Sequence, residues 1–461
     1  MTALDTKPSE GTRTIMNMKL YRDASEAPLW VRTILLALIF TALSALVGYR
    51  YISEHSAISP QDEYVYIDAV DKAMHGEVTR QYSETDEYAR SLITCVGIEI
   101  YGRQGPACGD TNAPSEDYPF KGYSTASVHS PLYFFITAFL TKILLFLAPG
   151  KQMYLLAKFT GTLWLGLGLT ATWRLARYLG GSRLITASVT ALMLASPAIR
   201  WANFYITPDS FSLLAGSFIF LSTLKMVRKE WTSIPLIVAS IFFGLIKFQM
   251  LFATGAALLF ILIYFIRVKE ERSSLKRPIL LTFLALLLGL VAQFAYQHYR
   301  NVTAIHIAEN YSIDAHVPFS PTFAVEQLDN FLTYLYMGPV SLNGGLIGAV
   351  GLPYAFTTLS SLLLVSGLVG AALFAVNTEV LNQSFALALL LASIFVAPAF
   401  YIYLNLTMGV GFDLAPRYGA ALLPALAIGL PVTVKSKTSS VLVAVFAVFA
   451  LAFALIANSI V

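Results

Sequence analysis

The residues best suited to chemistry are the adjacent carboxylates of Ser59-Pro60-Gln61-Asp62-Glu63-Tyr64-Val65-Tyr66, just after the first long apolar segment. Further along come Asp209 in Tyr205-Ile206-Thr207-Pro208-Asp209, Lys247 in Leu245-Ile246-Lys247-Phe248, and Arg417 in Pro416-Arg417-Tyr418, each at the end of an apolar run. Ionisable groups at such depths are expensive in lipid and by default suggest function. Each also has a plainer reading when taken alone. Acids in a first helical turn complement the helix dipole, Pro208-Asp209-Ser210 reads as a helix start, and Lys or Arg near a span end can snorkel to the interface. Together, carboxylates and cations on one membrane surface suit a hydroxyl that must lose a proton and a phosphate that must be held.

The two acids need an element to carry them. Ser59 is a good N-cap, Pro60 suits the first helical position and Gly76 is a usual stop, which predicts a short helix from about 60 to 75. Asp62 and Glu63 then lie in its first turn. Tyr66, Val70, Ala73 and Met74 fall on one face and Asp68, Asp71, Lys72 and His75 on another, the pattern of a helix lying in the interface plane. Successive helical side chains point about 100° apart, so only one of Asp62 and Glu63 can face an acceptor.

Composition sets the class. Of 461 residues, 56% are hydrophobic and 13% charged, and the mean hydropathy is +0.66. Those values exclude an ordinary soluble domain, and apolar runs of about twenty residues recur, so the fold expected is an all-α polytopic integral membrane protein. The net charge of +4 gives no reason to expect a nucleic-acid partner, because Lys and Arg gather in short loops. The first apolar segment follows Lys19, Arg22 and Arg32 and reads as a retained signal anchor. Residues 1–31 are then a cytoplasmic tail, 32–50 the first span and 51–152 a large outer loop with surface-lying helices.

The apolar stretch from Pro131 to Leu147 is ambiguous, and charge decides it. If it crossed the membrane, the loops with Arg174, Arg177 and Arg183, with Lys225, Arg228 and Lys229, and with Arg267, Lys269, Arg272, Lys276 and Arg277 would all face outward, against the positive-inside rule. It is therefore read as lying along the outer surface, with Tyr133, Thr137 and Thr141 as a thin polar stripe. The spans then run at about 153–173, 184–201, 210–224, 233–248, 250–266, 278–297, 354–376, 384–404, 418–434 and 440–459, about eleven with the first. Outer loops fall at about 298–353, with Tyr299, His306, Tyr311, His316 and Asp329, and at about 405–418, with Asp413. All six histidines, at 55, 75, 129, 298, 306 and 316, lie on the outer side in this topology. So do the two cysteines, Cys95 and Cys108, for which a disulfide is expected in an oxidising compartment, free thiols being the alternative.

In this order the features resemble the C-type (GT-C fold) membrane glycosyltransferases that use polyprenyl-phosphate sugars, especially protein O-mannosyltransferases and the lipid A aminoarabinose transferase. The matching residues are Asp62-Glu63 followed by Ala69, Met74 and Gly76, His129-Ser130-Pro131-Leu132-Tyr133, Pro208-Asp209, Gly244-Leu245-Ile246-Lys247, and Arg417-Tyr418 followed by Pro424. The second motif departs from the family's His-Pro-Pro-Leu or Lys-Pro-Pro-Leu, because Ser130 replaces the first proline. The resemblance implies an inverting transfer of a sugar from a polyprenyl-phosphate donor to a hydroxyl on a glycan, lipid or protein at the outer face of the plasma membrane. It implies Asp62 as general base beside Glu63, Asp209 orienting the acceptor or, in some relatives, helping to hold a divalent metal, and Lys247 and Arg417 holding the leaving phosphate. His129, Tyr418 and Tyr66 complete the expected substrate contacts. Metal use varies in the family, and no ligand spacing here demands a divalent ion. Two other readings are a secondary transporter and a membrane polymerase or ligase of lipid-linked glycans. A transporter would ask for ionisable groups near the midplane and for inverted repeats, and the sequence has neither.

Overall fold

The computed structural model describes residues 28–456 apart from 111, 306–316, 339–340, 343–344, 347–351, 375–378, 410 and 412. Most of the N-terminal tail and His306, Tyr311 and His316 lie outside the described residues. Among the described residues, regular structure is helical except for a two-residue antiparallel ladder of Ser341–Leu342 with Gly345–Leu346. Among the described residues seven helices are long and apolar enough to cross a membrane: Leu29–Glu54, Pro208–Val227, Phe248–Arg267, Arg272–Val302, Ala355–Phe374, Val380–Thr407 and Lys437–Ile456. The helices Arg183–Ala195 and Pro197–Phe204, bent by 63°, make an eighth if counted as one span. The chain is thus an all-α membrane-embedded protein.

The expected count of about eleven spans is larger than these seven or eight, and the difference has a physical cause. Ile234–Ile246 has only 13 residues, and Leu423–Thr433 only 11, continuing a 3-10 turn over Pro416–Leu422. Met153–Tyr178 is long enough at 26 residues but carries buried Lys158, Thr160, Thr162, Thr170 and Thr172. It packs against Leu29–Glu54, Pro131–Leu147, Ser212–Val227 and Pro197–Phe204. A helix wrapped by other helices meets small side chains and not lipid, so its surface need not be apolar. Gly161 marks how close the approach is: a Cβ built there would lie 1.7 Å from the Asn203 carbonyl oxygen.

Two surface features differ from the sequence reading. The short helix begins at Glu63, three residues later than expected, and ends at Met74, and Asp62 is its N-cap residue in the left-handed region with φ 52°. Its Asp68–Lys72 side is not open to water. Asp68 and Lys72 are buried, paired at 3.0 Å, and covered by the 84–86 segment, whose Asp86 N–H donates to Asp68 Oδ1 at 2.7 Å. In Pro131–Leu147 the stripe of Tyr133, Thr137 and Thr141 turns inward and is fully buried, while Phe139, Ile143, Phe146 and Leu147 are exposed. Thr141 Oγ1 donates to the Thr137 carbonyl at 2.7 Å, which satisfies its hydroxyl within the helix and lets that face pack on protein.

Cys95 ends the helix Glu87–Cys95 and is disulfide-bonded to Cys108, with Cα atoms 4.7 Å apart. The bond closes a loop whose first residues run beside the chain before Asp62: Ile58 N–H donates to Gly97 O at 3.0 Å and Glu99 N–H to Ile58 O at 2.8 Å. Closure of a loop this short is worth about 3 kcal/mol in the chain-entropy account.

The Gly161 contact makes a sharp prediction. Ala is the better helix former, yet Gly161→Ala should lower stability by about 1–3 kcal/mol through overpacking against the Asn203 backbone. Thermal unfolding of purified protein reads this, and a variant melting at or above the wild-type temperature would show that the approach is not tight.

Candidate functional site

The segment between the first helix and Glu63 is held from beneath by Lys158. Its Nζ donates to the Ala57 carbonyl at 2.6 Å and the His55 carbonyl at 3.3 Å, and stands 3.4 Å from Glu63 Oε2. Glu63 is wholly buried, and both its oxygens are used: Oε2 accepts from Ser59 N–H at 2.7 Å and Oε1 from Ile206 N–H at 2.7 Å. This reach back to Ser59 folds residues 59–62 into a turn, which is why the helix starts late. Ser59 Oγ accepts from the Trp201 indole N–H at 2.9 Å and from Gln61 N–H at 3.2 Å.

Asp62 leaves that turn facing the other way. Arg417 Nη2 donates to Asp62 Oδ2 at 2.8 Å, and the carboxylate remains about one-third exposed at 32%. Lys247 donates to Asp209 Oδ1 in a second, buried pair. The Tyr418 ring joins the two cations, with Lys247 Nζ 5.4 Å and the Arg417 guanidinium 5.6 Å from its centroid, and Arg417 also lies 5.5 Å from the Trp201 ring. Tyr66, one turn after Asp62, meets His129 Nε2 through its hydroxyl at 3.1 Å. Asp62, Asp209, Lys247, Arg417, Tyr418, Tyr66 and His129 therefore gather at one place, whereas Glu63 points into the protein behind them.

Local bonds explain how distant segments meet. Ser130, which stands where the resembled family has proline, donates its hydroxyl to the Leu245 carbonyl at 2.6 Å, tying the His129 segment to the one that presents Lys247. The Tyr296 hydroxyl lies within hydrogen-bond reach of the Ser127 carbonyl at 2.7 Å and the His129 carbonyl at 2.6 Å. Asp209 follows Thr207, whose Oγ1 accepts from Asp209 N–H at 3.3 Å as the cap of the Pro208–Phe211 turn.

The electrostatics follow from burial. Burial pushes the His129 imidazole down to about 3, and the Lys247 and Arg417 cations add to this against the pull of Asp62, so the ring is neutral at ordinary pH. Burial, with Asp62 close by, raises the Tyr66 phenol well above its usual range, so it stays a hydroxyl. Burial also raises the Glu63 carboxyl, opposed first by Lys158 and then by the N–H groups of Ile206 and Ser59.

Beside the two ion pairs lies a narrow cleft lined in part by Asn203, Asp209, Ser212 and Arg417. Arg417 Nε and Asn203 Oδ1 have no hydrogen-bond partner among the described residues, so polar capacity is left over there. Such an arrangement can take up a proton at Asp62 and hold an anion between Arg417 and Lys247. It does not suit a divalent ion: Asp62 and Asp209 each face a cation, and among the described residues no three His, Cys, Asp or Glu side chains are grouped to hold a metal. Sequence reasoning missed Lys158, Trp201 and Asn203. Lys158 carried a signal, being an ionisable residue early in an apolar run, whereas nothing in the sequence marks the other two.

A structural place for Glu63 predicts how it fails. Glu63→Gln removes the charge opposite a buried Lys158 and should cost about 3–5 kcal/mol, as breaking one side of a buried pair does. Glu63→Gln with Lys158→Met should recover part of that in thermal unfolding. A Glu63→Gln protein as stable as wild type would remove the clamp from this account. Compared with models of known protein families and with curated proteins, the chain matches none.

Proposed function

We propose that the protein is an inverting glycosyltransferase that moves a sugar from a polyprenyl-phosphate donor to a hydroxyl acceptor at the outer face of the plasma membrane. The observation that supports this reading most is the pairing of Asp62 with Arg417 and of Asp209 with Lys247 around Tyr418. On this reading the acceptor oxygen attacks the anomeric carbon and its proton passes to Asp62. The bond between that carbon and the phosphate oxygen breaks, and its electron pair leaves with the polyprenyl phosphate. Attack opposite the leaving group inverts the centre. Arg417 and Lys247 face the charge that grows on the phosphate, and Arg417 is suited to this by its planar fork. Asp209 orients Lys247 and the acceptor. Glu63 takes no part in proton transfer, since its oxygens are occupied and it lies behind the turn. The acceptor is a glycan, lipid or protein hydroxyl, and no metal step is included.

Asp62→Asn keeps the shape and removes the proton acceptor, so turnover should fall by about 10²-fold or more with donor binding little changed. Lys247→Ala should weaken donor binding as well as turnover, because the phosphate is present in ground and transition states alike. Radiolabelled transfer from a polyprenyl-phosphate sugar measures both, and an Asp62→Asn protein with near wild-type turnover would sink the assignment.

The same proposal fixes orientation. With Arg267, Lys269, Arg272, Lys276 and Arg277 on the cytoplasmic side, a cysteine at Ser273 should stay unlabelled by an impermeant reagent in intact cells and react after lysis. Labelling of intact cells would put the site on the wrong side.

A further inference from the structure

The loop closed by the Cys95–Cys108 disulfide aims one side chain into the protein. That side chain is Glu99, whose carboxylate is only 16% exposed. Its Oε1 pairs with His55 Nδ1, and its Oε2 accepts from the Tyr205 hydroxyl. Both partners are buried, the His55 ring 4.3 Å from that of Tyr51 and the Tyr205 ring 4.4 Å from Lys158 Nζ. Burial raises the pKa of Glu99, but the bonds from His55 and Tyr205 outweigh this and hold the carboxyl below its usual value, so it is ionised at neutral pH.

A bent loop delivers this carboxylate. Ile98 and Gly102 exchange both backbone bonds, at 2.8 and 2.7 Å, and close a tight turn over Glu99, Ile100 and Tyr101. Gly97, with φ 88°, approaches that turn so closely that a Cβ on it would lie 2.6 Å from the Gly102 carbonyl carbon. Ile100 takes φ 73°, a conformation that a β-branched residue keeps only when its surroundings impose it. The disulfide joins the two ends of the loop and is part of that constraint.

The partners of Glu99 belong to the two segments that carry the candidate carboxylates. His55 lies before Asp62 on the segment held by Lys158, and Tyr205 directly precedes Ile206, whose N–H donates to Glu63. Glu63 thus ties these segments from within, and Glu99 ties the same two from a separate loop whose closure can be undone. Lys247 and Arg417 stand on other elements, at the end of Ile234–Ile246 and in the Pro416–Leu422 turn.

We propose that Glu99 is a positioning residue: held by the disulfide, it sets the His55-to-Asp62 and Tyr205-to-Asp209 segments relative to each other, so that opening the disulfide disables the site while the helical bundle stays folded. Its effect on turnover rests on the glycosyl-transfer reading, whereas the tie between the segments does not.

The test combines hydrogen-exchange mass spectrometry of the purified full chain in detergent with assay of transfer from a polyprenyl-phosphate sugar. One arm is wild type reduced with a phosphine, which can reach the bond because Cys108 is exposed. The other is Glu99→Gln, which keeps the shape and removes the charge that both partners share. Either change should speed exchange severalfold in residues 56–62 and 204–210 and leave Val380–Met408 unchanged. Turnover should fall by about tenfold or more, with the donor KM changed less than kcat, because the cations that hold the phosphate stand elsewhere. Reducing Glu99→Gln should add little to either change alone, since both act through one tie. Unaltered exchange in the two segments, exchange that rises in 380–408 as well, or fully additive losses would overturn the proposal. So would wild-type turnover in Glu99→Gln. Absence of transfer by the unreduced wild type would sink the sugar-transfer reading alone, and the exchange rates would still decide the tie.

Discussion

The arrangement of the site depends on one buried carboxylate. Glu63 accepts from the N–H of Ser59, three residues before Asp62, and from the N–H of Ile206, three residues before Asp209, while Lys158 pairs with it from the Met153–Tyr178 helix. One side chain therefore fixes the turns that present both candidate carboxylates. Lys158 extends the clamp to the carbonyls of His55 and Ala57, and the disulfide-closed loop lies on the far side of Ile58. Two charges in such a place are stable only because nearly every proton and lone pair is used.

The clamp also accounts for the polarity of the central helix. Lys158 sits one turn inside Met153–Tyr178, and placing an ammonium group there requires protein on all sides. Leu29–Glu54, Pro131–Leu147 and Pro197–Phe204 supply it, which permits the threonines and glycines that make this helix a poor match to lipid. Three of the segments that carry the site, 59–66, His129-Ser130 and Tyr205–Asp209, are neighbours of that helix or of its wrapping.

The sequence showed the helical membrane class and the residues that gather at one place, because lipid makes each ionisable side chain near an apolar run conspicuous. Asp62, Asp209, Lys247 and Arg417 could be picked out one by one for that reason. The division of labour between Asp62 and Glu63 was not legible. A helix starting at Pro60 would put both acids in one exposed turn, whereas contacts with Ser59, Lys158 and Ile206, the last two far along the chain, hold Glu63 inward and leave Asp62 in a left-handed N-cap. Only seven or eight of the eleven expected spans are long and apolar enough to cross by themselves, for a related reason: hydropathy measures fitness for lipid, and helices buried by other helices, such as Leu423–Thr433, need not be long or lipid-facing. The inward turn of Tyr133, Thr137 and Thr141 was likewise hidden: the Thr141 hydroxyl bonds the Thr137 carbonyl of its own helix and carries little polarity outward.

The charge count at the site bears on how the proposed reaction would run. His129 is held neutral, so the resting site balances two carboxylates, Asp62 and Asp209, against two cations, Arg417 and Lys247. A sugar–phosphate–polyprenol diester brings one negative charge, and its departure as a monoester adds another. The added charge appears as Asp62 takes the acceptor proton and loses its own. The total at the site then stays constant through the step, but its distribution moves from Asp62 to the phosphate. Arg417 is the group suited to follow that movement, because its Nη2 holds Asp62 while its buried Nε has no partner among the described residues. In this reading Arg417 is shared between base and leaving group, and proton uptake frees it when the phosphate most needs a cation. A lysine in its place would hold one partner at a time as a point charge, so the proposed coupling rests on the fork geometry of arginine and not on positive charge alone.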